Sequence, residues 1–110
     1  LTDVTGVQTV LFRSGGSSVA GGKLKETEFT HWTTPNTGAT NETGFTGLPG
    51  GYRNNDNTFN NLNLHGYFWN SVEHDANTAT ILHLYYNSAT GGISSAYDKA
   101  LGFSARCVRD

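Results

Sequence analysis

Residues 66–86, GYFWNSVEHDANTATILHLYY, decide how this chain is read. Tyr67, Phe68 and Trp69 open a strand-like run over 66–72. A second run over 79–86 alternates so that Leu82, Leu84 and Tyr86 share one face. The polar stretch Asp75 to Asn77 between them has turn chemistry. Two strands joined by a short turn make an antiparallel pair. Working outward, GFSARCV over 102–108 is expected as a further strand, with Phe103, Ala105 and Cys107 on one face. Gly91 and Gly92 within NSATGGISS (87–95) predict a turn.

Upstream the pattern changes. Val4, Val7, Val10 and Leu11 fall at helical spacing behind a possible cap at Thr2 or Asp3, and Gly15-Gly16 would end that helix. SSVAGGKLKE (17–26) reads as a Gly-rich link. PNTGATNETGFTGLPGGYRNN (35–55) has neither a helical nor a strand period, yet spaces Phe45, Leu48 and Tyr52 almost evenly, and Phe59 and Leu62 follow. A loop with that spacing should be ordered and pinned to the core by its apolar residues, with glycines supplying positive φ at its reversals. Trp32, Phe45, Tyr52, Phe68 and Trp69 are the expected packing set, with Phe103 and Cys107 in the core beneath the terminal strand.

The chain has 110 residues, 15% of them charged, a formal net charge of −2 and thirteen aromatic residues. That size implies one domain over 1–110. Without a Lys/Arg patch the composition argues against nucleic acid as a partner. No run is long enough for a bilayer span, so membrane insertion is not expected, and any targeting segment lies outside this sequence. Cys107 stands alone, which suits a buried thiol better than a disulfide or a zinc site.

Several motifs invite chemistry and fall short of it. In SSVAGGKL, Ser17 stands where a phosphate-binding loop needs its first Gly and Leu24 where it needs Ser or Thr. Asn54 to Asn57 gathers oxygens as a calcium loop does, but lacks the turn Gly and terminal Glu, so a turn closed by Asx hydrogen bonds is expected. Glu73-His74-Asp75 is the densest titratable cluster, yet neighbours in an extended segment point to opposite faces. Asn41-Glu42-Thr43 fits a glycosylation sequon. With no convergent acid-base or nucleophile set, the chain is expected to be a non-enzyme that uses no metal or cofactor.

GGKLKE, HWTTPNTGATNETGFTGLPGGYR, GYFW and the terminal GFSARCVRD, in that order from about Gly15 to Asp110, resemble the Fibrobacter succinogenes major paralogous domain family. The resemblance implies an α+β, C-type-lectin-like fold, with a small antiparallel sheet, long ordered loops and one or two short helices. It also implies secreted or surface-displayed proteins of bacteria or phage particles. Family domains usually carry a preceding half with further strands, so this chain resembles a shortened member. A chain needing that half would expose an apolar sheet face and associate with itself or a partner. Thr34-Pro35-Asn36 and Trp69-Asn70-Ser71 resemble the motifs with which related lectins bind sugar through calcium, but the acidic ligands are missing, so calcium-dependent sugar binding is not implied. Cys107 has no second cysteine with which to hold copper, as the related formylglycine-generating enzymes do.

Domains of this type include the variable proteins of diversity-generating retroelements. Residues 74–101 contain no Glu, Gln, Met or Trp, and Lys99 alone lies outside the residues reachable from adenine-mutated Asn codons. The resemblance therefore implies an extracellular ligand-binding or adhesion module whose partner is a protein or glycan on a cell surface. Its expected contact surface is His74, Asp75, Asn77, Thr78, Thr80, His83, Tyr85, Ser94, Ser95 and Tyr97, with Tyr85 or Tyr97 as aromatic anchor. A structural subunit of an extracellular assembly, a filament, fimbria or phage particle, is the alternative.

Overall fold

The computed structural model describes residues 15–73 and 75–105. Among them the chain runs α1 (Ser17–Leu24), β1 (Tyr52–Arg53), β2 (Phe59–Asn60), β3 (His65–Glu73), β4 (Thr78–Tyr85) and β5 (Ser88–Asp98). β1 and β2 form a short antiparallel ribbon, while β3, β4 and β5 form an antiparallel sheet in that order. The architecture is α+β. The helix expected over residues 4–11, and Cys107 with the end of the terminal segment, lie outside the described residues.

Alternation along β4 sets the two sides of the sheet. Leu82 and Leu84 point to one side and join Leu24, Trp32 and Phe68 in the core, with Phe45, Tyr86 and Ile93 packed against it. Burying such side chains contributes about 1.5–3 kcal/mol each. Trp32 is the largest of them, and its indole N–H donates to the Gly47 carbonyl (3.0 Å), so its one polar atom enters the core satisfied.

Residues 17–24 form a helix where the sequence suggested a link, and residues 88–98 form one strand where Gly91-Gly92 suggested a turn. Both corrections have one cause. Gly21 of α1 lies against Thr90 and Gly91 of β5 so closely that a Cβ on Gly21 would overlap the Thr90 carbonyl, and one on Gly91 would sit 2.6 Å from the Gly21 Cα. These glycines serve backbone contact between a helix and a strand, and their reading as chain breakers was wrong. The actual reversal before β5 is confined to Tyr86 and Asn87.

The loop from 35 to 62 is ordered, but its anchors differ in part from expectation. Leu48, Phe59 and Leu62 are 42%, 78% and 65% exposed, so they do not pin it. Phe45 anchors it as expected, edge-on to Phe68 (5.3 Å), and polar atoms and backbone hold the rest. Asn36, buried, donates its amide to the carbonyls of Glu26 (3.0 Å) and Glu28 (2.9 Å). Asn41 accepts the Thr46 N–H (2.7 Å) and donates to the Thr46 hydroxyl (2.9 Å), so the sequon amide is already in use. Asn36, Asn41, Asn57, Asn61 and Asn63 all adopt positive φ, a conformation that asparagine tolerates better than most residues. The Thr34-Pro35 peptide is cis.

Lys25, which follows α1, is fully buried. Its Nζ donates to the carbonyls of Thr37 (2.9 Å), Tyr85 (2.7 Å) and Ser88 (3.1 Å) and lies 5.3 Å from the centre of the Trp32 ring. One ammonium thus ties the helix end to the loop and to both strands of the β4–β5 hairpin. Burial pushes its pKa down to about 8. It remains predominantly charged at neutral pH.

Candidate functional site

The side of the sheet away from this core carries its own aromatic layer. Register places His65 opposite Tyr85, Tyr67 opposite His83 and Trp69 opposite Ile81. Residues paired across an antiparallel ladder share a face. Tyr67 stacks on His83 (centroids 4.3 Å apart, 29° between planes), and His83 stacks on Tyr85 (4.1 Å, 29°).

The terminal segment completes the layer. It forms no continuous strand among the described residues, contrary to the expectation from GFSARCV; bridges at Gly102 and Ser104 hold it instead. Arg53 and Gly102 exchange backbone hydrogen bonds (2.8 and 2.9 Å), while Trp69 N–H donates to Ser104 O and Ser104 N–H to Tyr67 O (3.0 Å each). Between these fixed points Phe103 lies nearly parallel to Tyr67 (5.3 Å, 16°) and against Trp69 (4.6 Å). Half-buried in this layer, Phe103 is not part of the core beneath a strand, and Tyr52 and Trp69 belong here too.

Tyr52, from β1, stands edge-on to both Tyr67 (5.3 Å, 73°) and Phe103 (6.0 Å, 64°), and Tyr97, from β5, is edge-on to Phe103 (5.7 Å, 72°). Together with Asn61 and Leu101 these rings line an open cavity of about 180 Å³. The Asn61 amide donates to Tyr67 Oη (3.0 Å), and the left-handed backbone of Asn61 aims it there. Concave aromatic cavities with a few polar groups are the usual form of small ligand sites.

His65 Nδ1 and His83 Nε2 are 3.0 Å apart, so one donates and the other accepts. Burial lowers the His65 pKa; burial, and then the charge of His65, lower that of His83 to about 4. Burial raises the phenols of Tyr67 and Tyr85. The layer is therefore uncharged at neutral pH. Folding lowers the His83 pKa from 6.5, so between pH 6.5 and 4 the unfolded chain binds more protons than the folded one. Stability is full above pH 6.5 and falls as pH drops towards 4, by about 2 kcal/mol after allowing for partial exposure. Urea unfolding at pH 7 and pH 4 should show that loss, and His83→Gln should shrink it.

Of the expected contact residues, His83, Tyr85 and Tyr97 meet in or beside the aromatic layer. Ser94 pairs with Ile81 and Ser95 is exposed. Thr80 is 6% exposed, sitting where the β4–β5 register slips between Ala79 and Ile81, and is removed from the surface. Asp75, Asn77 and Thr78 lie at the β3–β4 turn, where Asp75 Oδ1 accepts the N–H groups of Asn77 (2.9 Å) and Thr78 (2.8 Å). His74 lies outside the described residues. Sequence reading missed Asn61, His65 and Tyr67, and gave Tyr52, Trp69 and Phe103 to the core. The alternation Tyr67, Trp69 around the core residue Phe68 was the available signal.

Asp56 accepts from the Thr58 N–H (3.0 Å) and hydroxyl (2.6 Å), which hold its carboxyl below the usual range and close the β1–β2 turn. Among the described residues no three His, Cys, Asp or Glu side chains gather as a metal site would require. No helix there is long and apolar enough to cross a membrane.

Residues 2–109 match the Fibrobacter succinogenes major domain. The chain belongs to that family. No solved structure and no curated protein matches this major-domain chain.

Proposed function

We propose that this major-domain chain is an extracellular or surface-displayed ligand-binding module of C-type-lectin-like type, and not an enzyme. It engages a protein or glycan on a cell surface through the aromatic face. One observation carries the reading: the open cavity beside Tyr97, walled by rings from β1, β3, β5 and the terminal segment. Aromatic anchors concentrate binding energy because they bury large areas with few rotatable bonds. The groups that line the face are neutral at working pH, which suits recognition better than proton transfer.

The test uses labelled chain on a panel of intact bacterial cells. Saturable attachment is expected, and Tyr97→Leu with Tyr85→Leu should weaken it about tenfold or more, the usual cost of losing an anchor. Attachment unchanged by both substitutions would remove this face from the function. The alternative, a structural subunit, draws support from the length of β5, whose eleven residues carry one charge, Asp98, at the outer edge of the sheet. Light scattering separates the two readings: a stable oligomer or filament at all concentrations favours assembly, and a monomer favours adhesion.

A further inference from the structure

The rings around the cavity are arranged as a box. Phe103 and Tyr67, nearly parallel, lie side by side along it, with Tyr67 stacked in turn on His83. Tyr52 and Tyr97 stand at 64° and 72° to Phe103 as walls. A flat ligand would be served by one open ring face. Rings set at steep angles to one another about a common space instead suit a compact, roughly spherical group, which they meet with ring atoms and phenol oxygens.

The polar inventory narrows the class. Among the described residues, no carboxylate, Lys or Arg side chain lines the cavity; its polar groups are the phenol hydroxyls of Tyr52, Tyr67 and Tyr97 and the amide of Asn61, whose N–H donates to Tyr67 Oη. A primary ammonium is held most strongly by a carboxylate, which this lining lacks, and a sugar would compete for the few phenol and amide groups with the contacts they already make. A fully methylated cation needs neither. It is drawn to ring faces by their quadrupole and loses little water on entry. Arg53 keeps its positive charge but its guanidinium is directed to the Asn57 side chain and does not line the cavity, the histidines of the layer are neutral above pH 6.5, and the chain carries a net charge of −2.

We propose that the box formed by Tyr52, Tyr67, Tyr97 and Phe103 binds a quaternary ammonium group, the methylated headgroup of a choline or trimethyllysine class ligand. The inference rests on the aromatic face being the binding site and names the chemical group that enters it.

Choline chloride titrated into the whole chain tests it. Trp69, 4.6 Å from Phe103, reports occupancy by fluorescence, and the choline methyl resonance reports it by NMR. The neutral isostere 3,3-dimethylbutan-1-ol and N-acetylglucosamine are run beside it. Choline should bind saturably and at least about tenfold tighter than the isostere, the share of affinity that the charge supplies. Tyr97→Phe should retain binding, while Tyr97→Leu and Tyr52→Leu should each weaken it several-fold with thermal melts confirming a folded chain. Phosphocholine and trimethyllysine arms then tell a phosphorylated headgroup from a methylated side chain. Equal affinity for the isostere, or sugar binding without choline binding, overturns the proposal. If choline fails while Tyr97→Leu still abolishes cell attachment, the ligand class is wrong and the face stands. If choline binds but attachment ignores Tyr97, the class stands and the adhesion role falls.

Discussion

Lys25→Met is expected to cost about 3 kcal/mol or more of folding free energy, read as a lower urea midpoint with little change in slope. A buried cation is normally a weak argument for stability, since a well-packed hydrophobe often replaces it without loss. Here the partners are three backbone carbonyls, Thr37, Tyr85 and Ser88, and they stay behind when the ammonium goes. Each oxygen left buried without its donor carries a desolvation cost of about 1 kcal/mol or more. Methionine matches the length of the stem and isolates that loss. An unchanged midpoint would mean that water reaches these carbonyls, and that the end of α1, the loop and the β4–β5 hairpin are held by apolar packing alone.

Gly21→Ala should destabilise by about 3 kcal/mol or more, although helix propensity alone assigns the same change a gain of about 1 kcal/mol. The two arguments differ in sign, which makes the experiment decisive. A methyl at this position overlaps the Thr90 carbonyl, and the obstacle is backbone, which cannot swing aside as a side chain can. Ser18→Ala, on an exposed position of the same helix, should stay within about 0.5 kcal/mol and controls for propensity. A Gly21→Ala protein as stable as the parent would show that α1 and β5 stand farther apart than described.

The same glycines show where sequence reading reached its limit. β3 and β4 were legible because their alternation is local: Leu82, Leu84 and Tyr86 share a face whatever lies beyond them. α1 and β5 were not, because Gly21 and Gly91 owe their identity to each other across 70 positions of chain, and singly each resembles a breaker. The loop was rightly expected to be ordered, but Phe59 and Leu62 looked like anchors while Asn36 and Lys25 did that task through side-chain hydrogen bonds to carbonyls, which no hydrophobic spacing reveals. At the candidate site, His83, Tyr85 and Tyr97 were picked from the right strands. Tyr52, Asn61 and Phe103 reach the same cavity from segments whose approach depends on the bridges at Gly51, Arg53 and Gly102. Asp75 and Asn77 were chosen for polarity, and their hydrogen bonds shape a turn.

The helix-to-strand contact also governs when the protein can fold. α1 is eight residues long with two glycines, far below what holds a helix in water alone. Its partner, β5, begins at residue 88, so α1 gains its support only after a long loop has closed. The β3–β4–β5 meander, joined by short turns, can assemble from neighbours in sequence. On a ribosome, therefore, the helix emerges before its partner strand and waits. Its docking surface exists only once residues 88–98 have been made and paired, so the helix docks only after that strand has emerged.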